Sequence, residues 1–398
     1  MNVLIASYLV TSSPSGVVTY YQKLAADLAR AGYRVHIVDS SHTPTIWRKV
    51  LGLLKRIMRP LGGSARAAYD EFAYFTGVYL SVRHLRHSTF DLIHAQDARS
   101  GVAAWLALGK QVPVILSCHF NDDPVTELAL SFSLKPRATA RLASWYRYLF
   151  SSIHHYVFSS EYAYSKSKHL LPVRFNKHIL YNTVDLRATT DPLSRCPSDQ
   201  FRISNVGYID QRKNQQLLLR VGHQLRQRGH LNFTIWLIGE GPQRLAYEHL
   251  AYSLGLAEQV RFYGHQAAPW ALVAQSDLYV HTALNDNCPF AILEAFAVGT
   301  PVLALAVGGI PEMVPVGSGL LPDADVSRLT DEVIRCFQPS YRAGLAVTQS
   351  TFAHQRFDHQ TNLEKLLLFY RQAVKSPLLG PMAKGSTKPN SPYPLNGE

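Results

Sequence analysis

Short apolar, β-branched runs alternate with longer amphipathic stretches along this chain, the sequence form of strand–helix units on a parallel sheet. In the first half, Val3–Ser7, Arg34–Val38, Leu92–His94, Val114–Ser117, Ile153–Ser159 and His178–Tyr181 read as strands. A helix over Val17–Arg30, stopped by Gly32, joins the first two. A second series begins near Phe201, with strands Ile203–Gly207, Phe233–Ile238, Val260–Tyr263, Leu278–His281 and Pro301–Ala304. Its helices are expected at Asn214–Arg228, Arg244–Leu254 and Pro289–Val298. Each series predicts a Rossmann-type domain, and 398 residues suit two such cores better than one. The polar join lies near Thr189–Gln200, and the Pro-, Gly- and Ser-rich tail 376–398 is expected to be disordered.

The formal net charge of +12 calls for an anionic partner. No zinc-finger spacing, RNP-type aromatic motif or basic tail accompanies it, so nucleic acid is not the expected partner. Phosphorylated substrates or an anionic membrane remain. Four scattered cysteines, without a CxxC pair, suit a reducing compartment and argue against a zinc site. The start MNVLIASYLV has no basic lead and runs straight into a strand pattern, so no signal peptide is expected. No stretch approaches the roughly 18 apolar residues needed to cross a bilayer. The expected location is cytoplasmic.

One segment breaks the rhythm. On a helix over Thr45–Leu61, Trp47, Val50, Leu51, Leu54, Ile57 and Met58 share a face, with Arg48, Lys49, Lys55, Arg56 and Arg59 mostly opposite. The span Trp47–Leu61 reads either as an interfacial membrane helix or as one packed on protein with a solvated basic face. A second aromatic and basic stretch, Arg137–Phe150, favours the membrane reading slightly.

The segment Asp286 to Val314, DNCPFAILEAFAVGTPVLALAVGGIPEMV, places two carboxylates between hydrophobic strands, at the mouth of a parallel-sheet crevice. Glu294 is placed to accept from both hydroxyls of a ribose. Asp286, in the preceding loop, is placed to reach hydroxyls of a bound sugar. Backbone N–H groups at the helix start, near Pro289, Phe290 and Ala291, favour anionic or polar oxygens. Upstream, in NVGYIDQRKN, a strand ends at Gly207 and Arg212 and Lys213 are expected to open the next helix. Two cations there would cradle a diphosphate; the bland alternative is a solvated pair. Asp323-Ala324-Asp325 has a metal-binding look, but Asp325 precedes a helical run and reads as its N-cap.

The run from Asp286 to Glu294 resembles the E-x7-E signature of retaining glycosyltransferases of family 4, with Asp286 where that family usually has Glu. Gly299-Thr300-Pro301-Val302 and Gly308-Gly309-Ile310-Pro311-Glu312 match the elements that follow it. The family's Gly-Arg…Lys-Gly pattern is altered, since Tyr208 stands at the Arg position and Asn214 at the second Gly. Lys213 is then the principal diphosphate ligand, with Arg212 compensating. By the same resemblance, Gly239 ends a strand beside the ligand or a neighbouring backbone, and His265 lies near the nucleobase. Gly16 retains one glycine of a Gly-Gly loop touching the donor, and His119 lies beside the reacting sugar. His94, at a similar strand end, ranks below His119. Tyr181-Asn182-Thr183-Val184-Asp185 resembles the element closing the first domain.

The resemblance implies an α/β protein of two facing Rossmann-like domains (GT-B). Residues 1–190 would take the acceptor and 191–361 the nucleotide-sugar donor, with the final helix, Asn362–Val374 within 362–375, crossing back to the first domain. It implies transfer of a sugar from a nucleoside-diphosphate sugar, UDP- or GDP-linked, to a saccharide or lipid-linked acceptor, with retention and no metal or other cofactor. Surface polysaccharide assembly is the expected setting. A sugar-nucleotide epimerase of the same fold, an inactive nucleotide-sugar-binding scaffold and an exported two-domain binding protein are the alternatives.

Overall fold

The computed structural model describes residues 1–13, 15–184 and 199–375. Most of the expected join and the whole C-terminal tail lie outside the described residues. The first sheet comprises β1 (Asn2–Ala6), β2 (Arg34–Val38), β3 (Leu92–Ala95), β4 (Val114–Cys118), β5 (His155–Phe158) and β6 (Asn176–Ile179). Its strands are parallel, in the order β2-β1-β3-β4-β5-β6. The connecting helices are α1 (Gly16–Arg30), α2 (Thr45–Met58), α3 (Gly63–Arg83), α4 (Ala98–Ala107), α5 (Pro124–Ser131), α6 (Pro136–Ser151) and α7 (Glu161–Ser167).

The second sheet holds β7 (Phe201–Val206), β8 (Phe233–Ile238), β9 (Val260–Gly264), β10 (Leu278–His281), β11 (Val302–Leu305) and β12 (Leu320–Leu321). Its order, β12-β11-β10-β7-β8-β9, is the doubly wound Rossmann order with the switch point between β7 and β10. Helices α8 (Gln215–Gln227), α9 (Arg244–Ser253), α10 (Pro269–Ala274), α11 (Phe290–Ala297), α12 (Val326–Cys336) and α13 (Pro339–Arg356) cover it. In both sheets the central strands are buried on both faces, which is why they read as continuous apolar runs.

The last helix, α14 (His359–Lys375), returns to the first domain. Leu366, Phe369, Tyr370 and Ala373 pack in one cluster with Val3, Ile5, Leu92, Ile115 and Val157, which form one face of the first sheet. The opposite face buries Leu4, Ala6, Ile93, Ala95, Leu116 and Phe158 beneath α4 and α6. Chain alternation therefore supplies both cores, and α14 covers a face that α1 alone would leave partly open.

Two elements differ from expectation. The single apolar face read for the Thr45–Leu61 helix is divided in two. Leu51, Leu54 and Met58 pack against Tyr69 and Ala73 of α3, while Trp47, Val50, Leu53 and Ile57 are exposed. The reason is α3, a helix rich in small and aromatic residues that sequence patterning left unassigned; it supplies a partner for only half of the stripe. Second, Arg212 and Lys213 do not open α8. The Lys213 N–H donates to Asp210 Oδ1, Asn214 takes a left-handed conformation at φ 54°, and the helix starts at Gln215.

Candidate active site

Ligands of doubly wound sheets bind beyond the carboxyl ends of the strands at the switch point. Here the loops after β7 and β10 meet at that place. Lys213, from the β7 loop, forms an ion pair through Nζ with Asp286 Oδ2, from the β10 loop. His281 Nε2, at the last residue of β10, lies 3.1 Å from the same carboxylate oxygen. Its Nδ1 lies 3.0 Å from Tyr279 Oη. Backbone contacts hold the two loops together: Thr282 Oγ1 donates to Lys213 O at 2.8 Å, and Leu284 N donates to Arg212 O at 2.8 Å.

The electrostatics follow from burial. Desolvation alone would raise the Asp286 carboxyl, but the Lys213 ammonium and the His281 hydrogen bond outweigh it and hold it well below the usual carboxylate range. Burial lowers His281 despite its bond to Asp286. A neutral imidazole can then donate from Nε2 to the carboxylate and accept from Tyr279 at Nδ1. Arg212 is exposed at the rim of the site, its NH1 donating to Asn285 O at 3.3 Å. Both cations nonetheless act on His281, whose imidazolium they disfavour.

Glycines set the floor. A Cβ on Gly239 would overlap the carbonyl oxygen of Gly207, and φ at Gly239 is +150°. Gly239 thus permits a backbone-to-backbone approach between the ends of β7 and β8. A Cβ on Gly207 would sit 3.5 Å from Lys213 Cδ, so Gly207 lies directly beside the lysine stem.

The α11 start supplies the next wall. Pro289 occupies its N-cap without a side-chain cap, leaving early backbone N–H groups, those of Phe290 and Ala291 among them, open to an acceptor. Glu294, one turn further, is half-buried; desolvation raises its carboxyl and Lys23 of α1 partly offsets this. The first domain presents α1 directly opposite. A Cβ on Gly16 would lie 4.0 Å from Phe290 Cδ2, so the N-termini of α1 and α11 face one another across the cleft.

His119 follows β4, on the first-domain side. Its Nε2 lies 3.0 Å from Gln96 Oε1 and its ring packs edge-on against Tyr20 at 4.8 Å. Burial pushes it down to about 4, so it is neutral at physiological pH. His94 is fully buried, bonded to Tyr370 Oη and, at 2.7 Å, to Ser117 Oγ; it fastens α14 to the sheet. His265 is exposed on the loop after β9. Asp325 accepts from Arg328 N at 2.7 Å and caps α12, as its position predicts.

The two domains touch at the site itself. Asn287 Nδ2 donates to Phe120 O at 3.0 Å and Ser159 Oγ at 2.9 Å, and Ser160 Oγ donates to Asn287 Oδ1. Glu312 accepts from the backbone N–H groups of Glu161 and Tyr162 at 2.8 Å each, and from Tyr181 Oη at 2.9 Å. A carboxylate of the second domain thereby caps a helix of the first. Asn182 donates to Cys288 O at 2.6 Å. His281, Lys23, Gln96 and Asn287 escaped sequence reasoning. His281 carried a usable signal, a polar residue at the carboxyl end of a strand, whereas Lys23 lies mid-helix and gave none.

Two doubly wound domains facing across a cleft, with the N-termini of α1 and α11 opposed at a buried cation–carboxylate pair, are the architecture of the GT-B fold. The model described as "Glycosyltransferase Family 4" matches residues 14–188, and "Glycosyl transferases group 1" matches 190–338, together spanning most of the chain. The chain belongs to the group 1 glycosyltransferases of family 4. It is 26% identical to the D-inositol 3-phosphate glycosyltransferase of Mycolicibacterium paratuberculosis, over 92% of this chain and 87% of the relative. It is 27% identical to the lipopolysaccharide core biosynthesis glycosyltransferase LpsD of Rhizobium meliloti, over 45% of this chain and 52% of that one. In fold it is similar to Anabaena Alr3699/HepE, solved with UDP and glucose, with a TM-score of 0.70 at 18% identity over 94% of this chain and all of that one.

Proposed function

We propose that this glycosyltransferase moves a hexose from a nucleoside-diphosphate sugar to a hydroxyl of a saccharide or lipid-linked acceptor, with retention at the anomeric carbon. Lys213 carries the reading. It is a half-buried cation at the switch point, its carbon stem against Gly207 and its ammonium paired with Asp286 of the loop that leads into α11. In this role Lys213 and the α11 N-terminus receive the charge that develops on the leaving diphosphate, preorganised and partly shielded from water. Arg212 adds charge from the rim. Glu294 accepts from the ribose hydroxyls, Asp286 and the amides near Phe290 hold the sugar, and Gly16 lets α1 approach the phosphates. His119, neutral, hydrogen-bonds the donor sugar from the acceptor side. His265, on its exposed loop, is the base-side candidate.

A uridine nucleotide is the first donor to test, since Alr3699/HepE was solved with UDP and UDP-glucose. The likeness to inositol-phosphate and lipopolysaccharide-core transferases supports a polar, phosphate-bearing or surface-glycan acceptor. No helix among the described residues is long and apolar enough to cross a membrane. The exposed Trp47 stripe beside Arg48, Lys49, Lys55 and Arg56 fits peripheral attachment to the anionic inner face of a membrane. The reaction is proposed to need no metal, so chelation by EDTA should leave the rate unchanged. The direct test is transfer from UDP-glucose and GDP-mannose to saccharide and lipid acceptors, by the wild type and by Lys213→Ala and Glu294→Ala. Transfer that survives both substitutions overturns the site. An epimerised donor in the absence of acceptor would indicate the epimerase reading instead.

A further inference from the structure

On the first domain, α3 and α6 enclose an apolar groove of about 580 Å³. That lies within the range of small-ligand sites, about 300–1,000 Å³. Its walls are Ala68, Phe72 and Phe75 from α3 and Ala138, Leu142 and Trp145 from α6. Phe72 in this wall is 52% exposed, an uncommon position for a phenylalanine.

The one acid in the lining is already satisfied. Glu71 accepts from Arg99 NH1 at 2.8 Å and from Trp145 Nε1 at 2.9 Å. The groove therefore binds by apolar contact and shape. A peptide segment would bring backbone N–H and C=O groups that need partners, whereas a hydrocarbon chain brings none.

The rim states the charge of the occupant's head. Lys135, Arg137 and Arg141 are exposed at the start of α6, and no ion pair is found for any of them among the described residues. The apolar α2 stripe lies across α3 from the groove. Tyr69 and Ala73, on the other side of α3, seat α2, whose exposed stripe includes Leu53 at 62% and Ile57 at 56%. Glu71 connects inward, through Arg99, to Tyr8 on the loop after β1, since the Arg99 guanidinium stacks 4.4 Å from the Tyr8 ring. The groove thus lies between the apolar α2 stripe and the loop that enters the cleft.

We propose that the α3–α6 groove seats the hydrocarbon chain of a phosphate-bearing lipid acceptor, with Lys135, Arg137 and Arg141 on its phosphate. This rests on the lipid-linked branch of the acceptor reading above.

The test uses the full chain in a Trp47→Phe background, with 11,12-dibromododecyl phosphate as the probe. Bromine in the groove should quench Trp145 fluorescence saturably below the micelle concentration. Ala138→Phe, which fills the groove, and Phe72→Asp, at an exposed position, should each weaken the probe at least tenfold. Arg137→Ala with Arg141→Ala should weaken it about tenfold, and inorganic phosphate should not compete. UDP should still raise the melting temperature of each variant, showing a folded donor domain. Quenching unchanged by both Ala138→Phe and Phe72→Asp, or abolished by inorganic phosphate, overturns the groove. Dodecyl phosphate should also inhibit transfer from UDP-glucose into a membrane-lipid extract. Binding without inhibition overturns the acceptor assignment. Binding that follows the groove variants in a protein showing no transfer at all supports the groove and counts against the transferase reading instead.

Discussion

Lys213 and Asp286 stand 73 residues apart in the chain and form an ion pair at the carboxyl edge of the second sheet, with 16% and 10% of their side chains exposed. A pair this buried holds its geometry through desolvation, which makes each partner costly to remove alone.

Lys213→Ala is expected to lower kcat by about 100- to 1,000-fold, the usual loss when one preorganised electrostatic group is removed. It should also destabilise the domain by about 3–5 kcal/mol, because Asp286 is left buried without its cation. Adding Asp286→Ala should recover part of the stability and none of the activity. Steady-state kinetics and denaturant melts on the two variants check both halves.

Glu294→Gln keeps the shape of the side chain and removes its charge. A hydrogen bond to a charged group contributes about 1.5–3 kcal/mol, so UDP affinity should fall by roughly 10- to 100-fold. Titration calorimetry with UDP and with uracil alone separates the effects. An unchanged Kd for UDP would remove Glu294 from the ribose.

Acid should destabilise the first domain through His94 and His119, and His281, also lowered by burial, gives the Lys213 site a loss of the same sign. Burial pushes His94 down to about 3 and His119 to about 4, below the unfolded value of about 6.5. The stability each contributes is therefore full above pH 6.5 and is lost as the pH falls toward the folded value. Asp286 has a depressed carboxyl, so its contribution persists down to about pH 3.9 and fades only below. Between pH 6 and 4, His94→Gln should flatten the loss of stability by about 1.4 kcal/mol per pH unit, measured by urea melts across that range.

Gly239→Ala and Gly32→Ala form a matched pair. Both glycines have positive φ, +150° and +82°, but a Cβ on Gly32 meets nothing within 4 Å while one on Gly239 overlaps Gly207 O. Gly32→Ala should cost about 1 kcal/mol. Gly239→Ala should cost several times more and weaken donor binding, because the displaced β7 end carries the Lys213 loop. Melting temperatures and UDP titrations read the contrast.

Glu312→Ala removes the cap that the second domain places on α7. The loss of a helix cap costs about 1 kcal/mol. Since this cap spans the cleft, the closed arrangement should become less populated, raising KM for donor with little change in the melting temperature of the second domain. Small-angle scattering with and without UDP would show the wider cleft.

Much of this protein is legible in its linear order. Alternating apolar runs give eleven of the twelve parallel strands their approximate places, all but β12, and the central ones are apolar throughout because both their faces are buried. The DNCPFAILEAF run marks the carboxylates, and Asp325 declares itself a cap through its position before a helix. Direction and partnership were not legible. That Arg212 and Lys213 precede α8 rather than open it depended on a turn closed by Asp210, and the fate of the Trp47 stripe depended on where α3 lay. The pairing of Lys213 with Asp286 and His281, of Glu312 with α7, and of His94 with Tyr370 each joins segments distant in the chain. Local propensity and periodicity describe a residue's own element; only packing of those elements decides which charge is desolvated, and against what partner.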